Sequence, residues 1–336
     1  MSGFGRMAYA GSFIKSLTTH KLVNLIKTEV SYLLSNLLRK PVMFGLPWAA
    51  SIEPTNLCNL RCTQCPTGMR TLSRKQGNLP IENFRNLINK LSDHLIHLML
   101  YFQGEPFLHP QFIEMVRIAC ENKLFVSTST NGHFLDEKTA QKVVESKLNH
   151  LIISLDGLDQ ETYEIYRVNG NLQKVLDGIT NLVAAKKKAR SKLPFIELQF
   201  LVMGHNEHQV NEMRNLAKNL EVDRLTFKSA QVYNFSHGNI LIPQMDKKSR
   251  YRKTEDGNWV LKKKLKNRCH HLWRSLVITW EGNVAPCCYD KDAEHVAGNL
   301  LEIPLEEIWY SAAMKSFRKK VVSNRKAVYI CSNCGE

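Results

Sequence analysis

The chain has 336 residues, 43% of them hydrophobic and 23% charged, a composition that supports a sizeable core and excludes general disorder. Its net charge is +15, with six Lys/Arg against one acid in residues 1–50; this suits an anionic partner, and a solvated basic surface accounts for it equally well. Nine cysteines, no recognisable secretory signal and no run of about 18 apolar residues argue against a disulfide framework and a membrane-spanning chain, and imply a cytoplasmic protein whose thiols bind metal.

Residues 12–39 are predicted to form one amphipathic helix. Leu22, Ile26, Leu33 and Leu37 recur at helical spacing, with Val23, Val30, Leu34 and Leu38 beside them. Such a helix either packs across the outside of a domain or lies on a membrane surface, which would make the protein peripheral to the inner membrane. Pro41 and Pro47 end the pattern. From residue 48 strands alternate with helices. The strand candidates are 49–53, 96–102, 124–128, 151–154, 196–201 and 224–227; the helices between them span 81–93, 111–122, 136–147, 171–188 and 206–220. This rhythm implies right-handed βαβ units and a parallel sheet, either doubly wound or an incomplete barrel. After residue 229 the rhythm ends. A basic stretch (246–268) precedes an apparent hairpin with strands 276–280 and 284–287, then a helix over 305–321. The expected domains are therefore 1–47, 48–228 and 229–336.

The first strand runs into Glu53-Pro-Thr-Asn-Leu-Cys58-Asn-Leu-Arg-Cys62-Thr-Gln-Cys65. Three thiolates at C-x3-C-x2-C spacing can ligate three irons of a four-iron cubane, leaving the fourth open to a small molecule. A structural zinc site usually takes four protein ligands. Four short motifs follow: Gln103-Gly-Glu-Pro106, Thr130-Asn-Gly132, Ser154-Leu-Asp-Gly157 and Tyr166-Arg167. Each is an ordinary turn taken alone. Together, in order at successive strand ends, they resemble the radical S-adenosylmethionine (SAM) superfamily over about residues 48–228. Gln103 stands where the family's motif has a first glycine.

That resemblance implies an incomplete (β/α)6 barrel and a 4Fe–4S cluster on Cys58, Cys62 and Cys65. It further implies that Gly104 and Glu105 hold the SAM amino group, that Arg167 pairs with its carboxylate, that Ser154 and Asn131 lie in the cofactor site, and that Gln64 packs by the adenine. The activity implied is reductive cleavage of SAM, then hydrogen abstraction from a peptide or protein substrate. An electron donor such as flavodoxin or ferredoxin would be a partner. A small-molecule substrate, such as an amino sugar or a membrane-associated metabolite, is the alternative; a non-catalytic metal-binding interaction protein is a third reading.

The C-terminal third spaces its cysteines as Cys269-x12-Gly282-x4-Cys287-Cys288, with Cys331-x2-Cys334 at the end. This resembles a shortened SPASM domain, a small α+β iron–sulfur module, and implies an auxiliary 4Fe–4S cluster on Cys269, Cys287, Cys331 and Cys334. Zinc suits four thiolates as well. Cys288 reads as a small buried neighbour of the cluster and Cys120 as a core residue. Glu197 and Gln199 share one strand face, either lining a substrate pocket or capping a rim. Residues 289–292 read as an exposed loop, or one that reaches the active site; His270 and His271 read as structural. The runs Lys186–Lys188 and Lys262–Lys264 read as solvated surface, so nucleic acid is not expected as a partner. No catalytic acid or base stands out.

Overall fold

The computed structural model describes residues 3–335. Six parallel strands form the body: β1 (Ala49–Ile52), β2 (His97–Met99), β3 (Phe125–Thr130), β4 (His150–Ser154), β5 (Phe195–Val202) and β6 (Arg224–Ser229). Each pairs with the next in sequence. Before them come α1 (Gly3–Lys15) and α2 (Thr19–Leu38); the strands are connected through α3 (Pro66–Met69), α4 (Ile81–Leu91), α5 (Phe112–Glu121), α6 (Glu137–Glu145), α7 (Gln160–Tyr166), α8 (Leu172–Lys188) and α9 (Val210–Asn219). Leu87, Ile88, Met115, Val116, Val143 and Ile179 bury the inner stripes of these helices against the strands, the covering that a parallel sheet requires on its outer face. Asp136, Asp159 and Asn171 each accept a backbone N–H in the first turn of the following helix, which sets where α6, α7 and α8 begin.

The hairpin of the C-terminal region does not stand apart. Its strands, β9 (Ser275–Ile278) and β10 (Val284–Ala285), extend the same sheet, β9 parallel to β1 and β10 antiparallel to β9. The order is β10-β9-β1-β2-β3-β4-β5-β6, with β6 and β10 at the edges. Leu276, Ile278, Leu305, Ile308 and Trp309 share one apolar cluster with the barrel, so the core continues across residue 228. A separate two-stranded ribbon, β7 (Tyr251–Lys253) and β8 (Trp259–Leu261), lies within the stretch that carried no strand expectation. There, two three-residue strands in a Lys-rich segment give too short a pattern to read.

Two helix expectations change. Residues 12–39 are not one helix: the chain turns after Lys15, and Thr18 caps the start of α2 by accepting the Lys21 N–H. Tyr9 and Phe13 on α1 pack edge-on against Phe125, closing the end of the barrel where the strands begin. The helix expected over 305–321 is two, α11 (Leu305–Trp309) and α12 (Ala312–Asn324), because Ser311 caps a new start by accepting the Met314 N–H. One further four-residue helix, α10 (His271–Arg274), precedes β9.

Candidate functional site

The loop after β1 carries the first three cysteines, and its base is clamped from within. Asn56 accepts the Gly77 N–H at 2.9 Å and donates to the Lys75 carbonyl at 2.7 Å, while the Thr55 hydroxyl donates to the Gly77 carbonyl at 2.9 Å. Fully buried Glu53, at the end of β1, takes both Arg74 guanidinium nitrogens at 2.8 Å and the Trp280 N–H at 3.2 Å. A bidentate pair of this kind fixes orientation as well as charge. Between these anchors Cys62 is buried among Leu60, Tyr166 and Met203, with Cys58 and Cys65 packed against the same cluster. Burial pushes the Cys58 thiol up to about 12 and raises Cys62 as well; a thiol in such a place gives up its proton to a metal, not to water.

Motifs from the next three strand ends meet this loop. Gly104 has φ +79°, and a Cβ there would lie 2.5 Å from the Thr55 carbonyl oxygen and 2.7 Å from that of Leu57. Only glycine permits that approach, and it lets the Glu105 N–H donate to Leu57 at 2.7 Å. The buried Glu105 carboxylate accepts from the Thr130 hydroxyl and the Asn131 N–H, each at 2.7 Å. Its pKa rises to about 7 because burial outweighs those bonds. Asn131 in turn donates to the Asn59 side chain at 2.7 Å, inside the cysteine loop. Arg167 donates from Nε to Asp156 at 2.7 Å and from Nη1 towards the Cys62 sulfur at 3.8 Å. Asp156 is fully buried and also accepts the Leu201 N–H at 2.7 Å. Ser154 is buried at the end of β4 opposite Gln199. The Gln64 side chain accepts the Tyr233 N–H at 3.1 Å, which ties the loop to the segment beyond β6.

The second group lies where the C-terminal helices meet the hairpin. Cys269, Cys287, Cys331 and Cys334 line one cavity of about 30 Å³. Arg325, fully buried, donates from Nη2 to the Cys334 sulfur at 3.0 Å and from Nη1 to the Arg268 carbonyl at 2.7 Å. Cys288 borders the cavity but its residue is exposed, contrary to the expectation that it is buried. No group of three or more His, Cys, Asp or Glu among the described residues is arranged to hold a single metal ion. Soft thiols in apolar surroundings, with a guanidinium N–H turned towards one sulfur in each group, suit iron–sulfur clusters.

A family model for the radical SAM superfamily matches residues 52–217, and one for an iron–sulfur cluster-binding domain, SPASM, matches residues 269–335. The chain belongs to the radical SAM superfamily and carries a SPASM domain. Its cofactors are accordingly SAM, a SAM-binding 4Fe–4S cluster and an auxiliary 4Fe–4S cluster. Among curated relatives, this radical SAM protein is 23% identical to the tungsten-containing aldehyde ferredoxin oxidoreductase cofactor-modifying protein of Pyrococcus furiosus, over 84% of this chain and 86% of that protein. It is 25% identical to the PqqA peptide cyclase of Gluconobacter oxydans, over 78% and 76%. The structure of Streptococcus suis SuiB bound to S-adenosylmethionine shares its fold, with a TM-score of 0.62 at 12% identity over 81% of this chain and 68% of that one.

The structure decides between the alternatives that the sequence of this radical SAM chain left open. Glu197 is not near the cysteines. It sits with His150 and Arg224, each 3.2 Å away, where β4 and β6 begin, at the end opposite the cysteine loop. Burial would raise its carboxyl, but these partners and Thr226 outweigh it and hold it at about 2. Residues 289–292 are not a free loop: the Lys291 carbonyl accepts Arg74 Nε at 2.8 Å, and Asp292 accepts the Ser73 N–H and hydroxyl at 2.6 and 2.9 Å. The segment after Cys288 is thereby joined to the first cysteine loop. His270 is structural, paired with Glu29 at 2.6 Å and stacked on Tyr32, whereas His271 lines the second cavity. Cys120 is half-buried at the edge of the core. Sequence reasoning missed Glu53, Asn59, Arg74, Asp156 and Arg325. Only Asp156 had a signal, as the acid within Ser154-Leu-Asp-Gly157.

Proposed function

We propose that this chain cleaves SAM reductively and abstracts hydrogen from a peptide substrate. The observation that supports it is the meeting of Cys58, Cys62 and Cys65 with Glu105, Asn131 and Arg167 in one hydrogen-bonded unit. A cluster held by Cys58, Cys62 and Cys65 would supply one electron, drawn from a flavodoxin- or ferredoxin-type donor, for reductive cleavage of the SAM C5′–S bond to methionine and a 5′-deoxyadenosyl radical, which would take a hydrogen atom from a substrate C–H.

In this reading Cys58, Cys62 and Cys65 ligate the SAM cluster. Glu105 and the backbone at Gly104 accept from the SAM ammonium, and Asp156 steadies Arg167 for its carboxylate. Ser154 and Asn131 complete the SAM site, with Gln64 beside the adenine. Cys269, Cys287, Cys331 and Cys334 ligate the auxiliary cluster, and Arg325 offsets part of the charge of the four thiolates. Cys288 stays outside the ligand set. The peptide assignment rests on the likeness to PqqA peptide cyclase; a small-molecule substrate is favoured instead by the likeness to the cofactor-modifying protein.

The test is anaerobic reconstitution followed by SAM and dithionite. The protein should carry about eight irons per chain and release 5′-deoxyadenosine. A Cys58→Ala/Cys62→Ala/Cys65→Ala variant should keep about four irons and release none; persisting release would overturn the assignment. Deuterium entering 5′-deoxyadenosine from a labelled peptide pool, and not from a labelled metabolite pool, would select the peptide reading.

A further inference from the structure

Helix α2 is inside out. Its inward face is polar: Lys21, Asn24, Thr28, Ser31 and Ser35 are all buried. Its outward face is aliphatic: Leu22, Val23, Ile26, Val30, Leu33 and Leu37 are all exposed, from 40% at Val30 to 77% at Leu37. At about 100° per residue these six side chains fall within a stripe roughly 100° wide, running about 24 Å along the helix at a rise of about 1.5 Å per residue.

The orientation is locked. Asn24 exchanges two hydrogen bonds with the backbone of Leu46, at 2.9 and 3.0 Å. Thr28 donates to the Leu46 carbonyl at 3.0 Å; Ser31 accepts the Phe44 N–H, and Ser35 the Val42 N–H, each at 2.8 Å. Segment 42–46 is itself held on its other side by Trp273 Nε1, which donates to Val42, and by Trp309 Nε1, which donates to Gly45. Rotating α2 to hide its leucines would leave these backbone groups without their partners. A contiguous aliphatic stripe held outward in this way marks a surface that something covers.

Charge indicates what covers it. The exposed charged side chains of residues 7–40 are Lys15, Lys27, Arg39 and Lys40, all basic. The one acid there, Glu29, is turned to His270 and Trp48. The stripe is convex and has no aromatic side chain, unlike the anchors of protein interfaces. No helix among the described residues is long and apolar enough to cross a membrane. We infer that α2 lies in the surface of an anionic lipid bilayer, its aliphatic stripe among the acyl chains and its lysines and arginine at the phosphates. The inference does not depend on the substrate or on the proposed reaction.

The experiment is flotation of the reconstituted full chain with phosphatidylcholine vesicles, with and without phosphatidylglycerol. The protein should float with the anionic vesicles, and less as salt rises. Leu33→Gln/Leu37→Gln should weaken partition about tenfold or more; these sites are exposed, so the melting temperature should stay unchanged. Lys27→Gln/Arg39→Gln/Lys40→Gln should abolish the preference for phosphatidylglycerol and serves as the second, fold-neutral variant. Wild-type protein that stays unbound with anionic vesicles would overturn the inference. So would a dimer in light scattering that Leu33→Gln/Leu37→Gln converts to monomer, which would assign the stripe to a second copy of the chain.

Discussion

Replacing Gly104 by alanine tests whether the cysteine loop and the Gly104–Glu105 turn are one unit. Two costs are separable. The φ of +79° charges any L-residue about 1–2 kcal/mol. The new Cβ must also clear carbonyl oxygens that would lie at 2.5 and 2.7 Å, where ordinary contact begins near 3.4 Å, so the loop carrying Cys58 has to shift by about 0.7–0.9 Å. Gly257 separates the terms: its φ is +84°, yet a Cβ there meets nothing within 4 Å. Gly257→Ala should therefore lose a little thermal stability and no SAM cleavage. Gly104→Ala should lose more stability, because the clash adds to the φ cost, and, since a displacement near 1 Å costs about 100-fold in a positioned reaction, release 5′-deoxyadenosine some 100-fold more slowly. Melting curves and single-turnover chromatography of both variants decide it. If Gly104→Ala cleaves SAM as fast as Gly257→Ala, the loop and the turn are not mechanically coupled.

Asp156→Asn removes the charge that steadies Arg167; we expect the KM for SAM to rise about tenfold or more with a smaller change in kcat, and an unchanged KM would contradict that role. Arg325→Gln should drop iron from about eight to about four per chain while SAM cleavage without substrate persists; full iron loading with an unaltered auxiliary reduction potential would show that the guanidinium is dispensable. Burial and neighbouring His150 hold His97 down to about 4. The unfolded chain takes up that proton near 6.5, so stability is fully present above pH 6.5 and falls towards pH 4, by about 2 kcal/mol between 6.5 and 5. Glu197, ionised down to about 2, keeps its contribution across that range. Urea midpoints at pH 7 and 5 should differ in the wild type and differ less in His97→Gln; equal pH dependence in the two proteins would refute the assignment.

Local patterning carried the main features. Cys58, Cys62 and Cys65 share one short loop, so their spacing alone announces a three-thiol site, and a period near two followed by one near 3.6 announces βα units whose strand ends gather the remaining motifs. The two strands of the C-terminal hairpin were legible as a hairpin, but not as the extension of the barrel sheet beyond β1, because pairing of β9 with β1 joins residues more than 200 apart. Long-range partners were hidden for the same reason: Glu53 finds Arg74 and Trp280, Asp292 finds Ser73, and Arg325 finds the Arg268 carbonyl only after folding. The alternation in α2 was plain, yet its direction was not. A helical period says that two faces differ; which one turns inward depends on the partner, and here the irregular backbone of residues 42–46 offered hydrogen-bonding groups that Asn24, Thr28, Ser31 and Ser35 satisfy.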